Sequence, residues 1–99
     1  MSSNNPAYVI GHITVKDADL FAEYRAQVPG TIAPWGGELV FRGAKRCVLS
    51  GEHDHNDTVV IRFPDQHSLD GWFNSEAYQA LIPLRIQAAD MVLVGYSEG

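Results

Sequence analysis

The pattern of apolar and polar positions along the chain predicts four β-strands. Apolar and polar residues alternate in the first two, with the period of two that is typical of a strand. The third is the most β-prone segment of the chain, and the fourth is an apolar run without alternation. The predicted strands are residues 8–15, 38–42, 58–63 and 91–96.

The second strand is expected to change direction at its glycine. Gly43 and the two residues after it should bend or bulge the strand, and residues 46–51 should continue it as the other half of one hairpin arm. Strand parity then divides the residues before the bend between two faces, with Leu39 and Phe41 on one and Glu38, Val40 and Arg42 on the other.

Apolar residues recur at spacings of three and four after the first and third strands, which predicts helices there. Asp17 can cap the first helix, and Pro34 ends it near Trp35. Asp65 and Ser75 can cap two shorter helical pieces after the third strand. The predicted order is therefore strand, helix, two strands, helix in two pieces, strand.

This order predicts an α+β, ferredoxin-like βαββαβ fold. Its four-stranded antiparallel sheet would carry helices on one face, with the first and third strands at the centre. Both faces of the sheet hold apolar residues, such as Ile10 and Val60 on one and Val9 and Ile61 on the other. Because one helical layer covers only one face, we expect a second copy to cover the other, in a closed homodimer.

Length, charge and cysteine content limit the classes of protein. Ninety-nine residues, 45% of them hydrophobic, suffice for a single domain, which we place at residues 7–97 after a disordered tail at residues 1–6. A net charge of -5 argues against nucleic acid and anionic membranes as partners. The sequence shows no membrane-spanning run or signal peptide, and its lone cysteine fits a reducing compartment, so the predicted location is cytoplasmic. Cys47 itself is expected to be a small buried residue.

Three residues on the predicted strands share one sheet face by parity and form a candidate catalytic site. They are His12, Arg42 and Arg62. A buried charge needs a partner or a bound anion, so the arginines could hold a carboxylate or enolate while His12 moves a proton. In the alternative interpretation, the arginines pair with Glu38 or with acids of a second copy, and His12 only packs.

Two further groups have both a functional and a structural interpretation. Trp35, Trp72 and Tyr78 could line a ligand pocket between helices and sheet, although such aromatic residues are more typical of a core. The polar turn of residues 53–57 contains three potential metal ligands, His53 and His55 among them, but no distant Cys or third His lies nearby in sequence, which favours a solvated turn over a metal site. With no nucleotide, redox or serine-nucleophile motif in the sequence, neither a cofactor nor a metal is predicted.

An ordered series of segments resembles the DUF1330 family of small bacterial proteins. The resemblance spans residues 7 to 96, and the matching pieces are Ala7–Val15, Tyr24-Arg25, Val28-Pro29, Gly36-Gly37, Arg42-Gly43, Phe63-Pro64 and Trp72–Gln79. The resemblance implies a dimeric α/β barrel, the ferredoxin-like dimer also used by cofactor-independent monooxygenases, muconolactone isomerase and haem-binding chlorite dismutases. It does not imply one reaction.

The resemblance adds Tyr24 and Arg25 as ligand-binding candidates, since both follow the family motif. Consecutive helix residues point in different directions, so we expect only one of them in the site. Trp35 and Phe73 stand where the family often has Tyr, and no role for a phenolic hydroxyl is implied there. Two functions stay open: a cofactor-independent enzyme acting on a small carboxylate or enolisable molecule, and a non-catalytic dimeric module for ligand binding or regulation. Metal binding through the loop from His53 to Asp57 is a third hypothesis.

Overall fold

The computed structural model describes residues 5–98, in which strands and helices follow the predicted order. Of the predicted tail, residues 1–4 lie outside the described residues. The strands are β1 (Ala7–Val15), β2 (Glu38–Ala44), β3 (Asp57–Phe63) and β4 (Ala89–Ser97). The helices are α1 (Ala18–Ile32), α2 (Gln66–Asn74), α3 (Glu76–Gln79) and α4 (Ile82–Ala88), and a 3-10 turn spans Ala33–Trp35.

Within residues 5–98 the four strands form one antiparallel sheet in the order β2-β3-β1-β4. The prediction that the first and third strands lie at the centre is confirmed. The helices pack on one face of the sheet, which we call the helix face, and we call the other the open face. The predicted α+β architecture is therefore the observed one.

Strand β1 shows why the alternating pattern predicts the core so well. Its odd-numbered residues Ala7, Val9 and Ile13 are buried against the helices, whereas His12 and the other even-numbered residues are half-buried on the open face. The core is completed by aromatic side chains, and Trp72 packs between Phe63 and Tyr78 with ring centroids 5.4 and 4.3 Å away. This cluster fixes the distance between the helical layer and the sheet.

The helix starts follow the predicted caps. The Oδ1 atom of Asp17 accepts a hydrogen bond from Leu20 N at 3.1 Å, and that of Asp65 accepts from Ser68 N at 2.7 Å. Helix α1 continues through Pro29, and its final 3-10 turn ends at Gly36, which has a left-handed φ of 73°. Asp17 and Gly36 therefore delimit a long helix whose face toward the sheet forms one wall of the site described below.

Strand β2 departs from the predicted parity. Leu39 pairs with Ile61 but Phe41 pairs with Val60, so Val40 is an extra residue that forms a β-bulge. After the bulge, each residue of β2 lies on the face opposite to the one that regular alternation predicts. Phe41 lies on the open face beside Val60, and Arg42, paired with Val59, lies on the helix face. The predicted faces of Phe41 and Arg42 were therefore wrong, and the bulge precedes the position expected at Gly43.

The segment between β2 and β3 is a loop and not the predicted continuation of a hairpin arm. Residues 46–51 contain no strand. The loop is closed at its base by a hydrogen bond from Lys45 N to Asn56 O, and Asn56 N donates to Ile13 O at 3.0 Å. Cys47, expected to be buried, is exposed on this loop.

The helices described in residues 5–98 are all too short or too polar to cross a membrane.

Candidate functional site

A cleft of about 380 Å³ opens on the helix face between α1 and the end of β2, and we call it the arginine cleft. Apolar side chains from β1 and α1 form most of its wall, and its charged residues are two arginines and one aspartate. The lining residues are Ile13, Val15, Ala18, Phe21, Ala22, Arg25, Arg42, Gly43, Ala44, Asp57 and Thr58. A small organic molecule fits a cleft of this size and character.

The two arginines reach the cleft from opposite walls. Arg25 lies one helical turn after Phe21 on α1, so both side chains project from the same side of the helix. Arg42 comes from β2, and it lies on this face only because the bulge at Val40 reverses the parity of the strand. Neither guanidinium makes an ion pair or hydrogen bond with another side chain in residues 5–98.

The electrostatic environment of Arg42 favours a bound anion. Arg42 is exposed overall, but partial burial of its side chain and, to a smaller extent, the positive charge of Arg25 lower the pKa of Arg42 from its ordinary value. An arginine keeps its charge at neutral pH in spite of such a shift. Two like charges therefore share the mouth of the cleft, and a carboxylate or enolate between them would relieve their repulsion.

A narrower cavity of about 40 Å³ adjoins the cleft and leads toward the core. It shares Ile13, Phe21, Arg25 and Arg42 with the cleft. Its remaining walls are apolar or aromatic side chains, and they include Tyr24, Val28, Val59, Ile61, Trp72, Met91 and Leu93. We call this space the inner cavity. A ligand that places its charged end at the arginines would direct its apolar end here.

Behind the inner cavity, a buried hydrogen-bonded chain links Tyr24, Tyr78 and Arg85. The two phenolic oxygens lie 2.7 Å apart, and Arg85 donates from Nη1 to the Tyr78 hydroxyl at 2.9 Å. Burial, reinforced by Tyr78, raises the pKa of Tyr24 far above its ordinary value. Because Tyr24 stays neutral, it can act as a hydrogen-bond donor but not as a base near neutral pH.

Asp57 adds one carboxylate to the arginine cleft. It begins β3 opposite Ala44, on the parity that directs Val59 and Ile61 to the helix face. It forms no ion pair with Arg25 or Arg42 within residues 5–98. Asp57 is not among the predicted site residues because it lies just before the third strand predicted at residues 58–63, although its even spacing from Val59 and Ile61 is a usable signal.

The structure does not bring His12, Arg42 and Arg62 together. His12 and Arg62 lie on the open face, whereas Arg42 lies on the helix face. Arg62 donates to Glu38 Oε1 at 3.4 Å in an exposed ion pair, as the alternative interpretation of this arginine had it. The predicted common face of the three residues was wrong, because one inserted residue in β2 reverses the parity of Arg42.

Of the other predicted site residues, some line the inner cavity and others are packed in the core. Tyr24 and Arg25 both line the inner cavity, and the expectation that only one of them contacts a ligand stays a prediction. Trp72 lines the inner cavity and donates from Nε1 to Thr31 Oγ1 at 3.0 Å, whereas Tyr78 is fully buried behind it.

Trp35 has a structural position outside the arginine cleft and inner cavity. Its indole packs so closely on Gly71 of α2 that a Cβ atom at position 71 would overlap the ring. The aromatic pocket expected from Trp35, Trp72 and Tyr78 is thus a packed cluster that contributes one wall, Trp72, to the inner cavity.

Fold and site define a ferredoxin-like α+β domain with a cleft of about 380 Å³ between its sheet and first helix. The chain belongs to the DUF1330 family, described as a domain of unknown function, whose model matches residues 6–96. The resemblance drawn from the sequence is thereby confirmed. No curated protein matches the chain.

Solved structures share the fold at low sequence identity. A protein of unknown function from Rhodopseudomonas palustris is similar with a TM-score of 0.80 and 16% identity, over 97% of this chain and 84% of that one. A dimeric ferredoxin-like protein of unknown function from Jannaschia sp. CCS1 has a TM-score of 0.73 and 15% identity, over 91% and 96%. SnoaB, a cofactor-independent oxygenase from Streptomyces nogalater, has a TM-score of 0.67 and 12% identity, over 96% and 94%.

Proposed function

We propose that this protein binds a small organic anion, a carboxylate or enolate with a compact apolar body, in the arginine cleft. The observation that carries the proposal is the pair Arg25 and Arg42, two guanidinium groups that face one cleft without an acidic partner in residues 5–98. Arg25 and Arg42 are exposed, so solvent screens their repulsion, and an anion between them would remove the repulsion that remains. A bidentate contact from one guanidinium and a second from the other would fix the anion's orientation.

The apolar walls specify the rest of the ligand. The cleft volume of about 380 Å³ falls within the range of small-molecule sites, and the inner cavity beside it is lined mainly by aliphatic and aromatic side chains. A ligand body of one ring or a short branched chain would bury apolar surface against Phe21 and Ile13. The charge of the arginines would select an anionic ligand, and the shape of the apolar walls would select its apolar part.

A second candidate function, catalysis without a cofactor, is favoured by the position of Asp57. This carboxylate shares the cleft with both arginines, so it could remove a proton next to a carbonyl while the guanidinium groups hold the resulting enolate. The neutral Tyr24 hydroxyl would offer a hydrogen bond from the inner side. SnoaB, which shares the fold, is an oxygenase that needs no cofactor.

Binding can be tested by isothermal titration with small aromatic and aliphatic carboxylates. Arg42→Ala and Arg25→Ala are each expected to weaken binding about 10- to 100-fold, the effect of losing a charge-assisted hydrogen bond. Arg62→Ala is the matched control, because Arg62 lies on the open face. Equal losses in Arg62→Ala and His12→Ala would instead support the site predicted from strand parity and refute the arginine cleft.

Catalysis can be tested separately by following hydrogen–deuterium exchange of enolisable acids by NMR. The wild-type protein is expected to catalyse exchange at the carbon next to the carbonyl, and Asp57→Asn to abolish it while keeping affinity within about threefold. If the wild-type protein binds these acids but does not catalyse their hydrogen–deuterium exchange, the proposal of ligand binding stands and the proposal of catalysis is refuted.

We further propose that two copies of the chain associate through the open face. The supporting features are half-exposed apolar side chains on this face, among them Phe41, Val92 and Tyr96, and the dimeric state of the Jannaschia protein of the same fold. A monomer at micromolar concentration in analytical ultracentrifugation would contradict this proposal. The cytoplasmic location predicted from the sequence stays a prediction.

A further inference from the structure

A cluster of three histidines lies on the open face, away from the arginine cleft. The loop between β2 and β3 returns over the sheet and brings its two histidines to the side chain of His12 on β1. His12 and His53 have ring centroids 5.0 Å apart, and His53 and His55 have centroids 5.9 Å apart. We call His12, His53 and His55 the histidine cluster.

We propose that the histidine cluster is a binding site for a divalent zinc ion. The sequence alone offered the polar turn of residues 53–57, which holds potential ligands such as His53 and His55 but has no third histidine nearby, and this is weak evidence for a metal site. The fold supplies the missing third ligand, His12, from a strand about 40 residues earlier in the chain. Three imidazoles and one open position form a common zinc ligand set.

The spacing of the rings agrees with this ligand set. With Zn–N bonds of about 2.0–2.1 Å and tetrahedral geometry, two bound imidazoles have ring centroids about 5 Å apart. The distance between His12 and His53 has this value, and the distance between His53 and His55 exceeds it by less than an ångström. These spacings place His53 within reach of an ion shared with each of its two neighbours, and ring rotation is required to direct the three lone pairs at one point.

An unsatisfied atom in the cluster also points to a missing partner. The Nδ1 atom of His12 is buried and has no hydrogen-bond partner within residues 5–98. Buried polar atoms of this kind are uncommon because each loses its hydration without compensation. If the ring turned about its Cβ–Cγ bond so that this nitrogen faced His53, a metal ion bound there would satisfy it.

His55 already has the hydrogen bond expected of a metal ligand. Its Nδ1 atom lies 3.1 Å from the hydroxyl of Thr14, the next residue on the open face of β1 after His12. When Nδ1–H donates to this hydroxyl, the lone pair is on Nε2, free for the metal. Thr14 would thus fix both the tautomer and the orientation of the ligand.

The loop is anchored in a way that holds the cluster together. Lys45 Nζ donates to the carbonyl of His53 at 3.0 Å, and Asn56 N donates to Ile13 O at 3.0 Å. No three His, Cys, Asp or Glu side chains in residues 5–98 yet stand in a metal-binding arrangement. Zinc binding therefore requires ring rotation in the loop, whereas the backbone positions of the three ligands are set by these anchors.

The experiment is calorimetric titration of chelator-treated, full-length protein with zinc, together with the absorption spectrum of the cobalt(II) form. We expect one zinc ion per chain and the intense visible bands of tetrahedral cobalt. His12→Gln, His53→Gln and His55→Gln should each weaken zinc binding at least tenfold, and Thr14→Val should weaken it about tenfold. His67→Gln is the control, because His67 is exposed on α2 and should leave affinity unchanged.

Two outcomes would overturn the proposal. One is an absence of saturable binding by the wild-type protein. The other is binding that His12→Gln leaves intact, since this would place the ion on the loop histidines alone. Circular dichroism of each variant distinguishes lost ligands from lost folding. Because His12, His53 and His55 are remote from Arg25 and Arg42, carboxylate affinity should be the same in all these variants.

Discussion

The two faces of the sheet differ in what holds their side chains in place. On the helix face, aromatic and aliphatic residues are packed around Trp72, and the arginine cleft is the space left at the end of this packing. On the open face, apolar side chains such as Phe41 are half-exposed, and the histidine cluster rests on one loop. The same sheet therefore has one closely packed face and one partly exposed face.

The largest expected difference between the faces concerns stability. Phe63→Ala on the helix face removes a fully buried ring and should lower the free energy of unfolding by about 3–5 kcal/mol. Phe41→Ala on the open face removes a ring that is 55% exposed and should change it by about 0.5 kcal/mol in the monomer. Urea denaturation measures both.

The stability losses of the same two variants should depend differently on protein concentration. If a second copy covers the open face, the loss caused by Phe41→Ala should grow with concentration, because the wild-type dimer is stabilised by mass action. The loss caused by Phe63→Ala should be large at every concentration. Equal losses for the two variants at all concentrations would contradict the distinction between a packed and an open face.

A smaller effect is expected from the buried hydroxyl groups behind the inner cavity. Tyr78→Phe leaves both Tyr24 and Arg85 without their partner and should lower the free energy of unfolding by about 1.5–3 kcal/mol. Tyr24→Phe removes one hydrogen bond and should cost about 1 kcal/mol. Thermal denaturation of the two variants would contradict the hydrogen-bonded chain if their order were reversed.

The bulge in β2 gives two variants with opposite expectations for Arg42. Deleting Val40 removes the extra residue and leaves Phe41 opposite Val60 and Arg42 opposite Val59, so carboxylate affinity should be preserved. Inserting one alanine between Phe41 and Arg42 should place Arg42 opposite Thr58, on the open face, with about a tenfold or greater loss of carboxylate affinity. An insertion variant that folds and binds as well as the wild-type protein would exclude Arg42 from the site.

The smallest expected effect is the pH dependence of the open face. Burial, and then the neighbouring His53 and His55, lower the pKa of His12 below its ordinary 6.5. The unfolded chain then binds more protons than the folded protein, so this contribution to stability is present above 6.5 and lost as the pH falls toward the folded pKa. His12→Gln should therefore flatten the decline in melting temperature over this interval. An unchanged decline would contradict the assigned cause.

The fold could be predicted because its determinants are local. Alternation in β1 and the caps at Asp17 and Asp65 each act within a few residues, and the structure confirms them. The site could not be predicted as completely. Leu39, Val40 and Phe41 form an unbroken apolar run, so no polar residue marks where the parity changes. The loop position of His53 likewise depends on hydrogen bonds between residues distant in sequence.

The bulge at Val40 also affects how the roles of residues can be assigned to related proteins by sequence alignment. At the 12–16% identity of the structural neighbours described above, an alignment that gains or loses one position in β2 remains equally plausible by sequence. Yet such a shift would equate a residue of the arginine cleft with one on the opposite face. Functional positions on this strand should therefore be matched by backbone pairing with β3, using Arg42 opposite Val59 as the reference point.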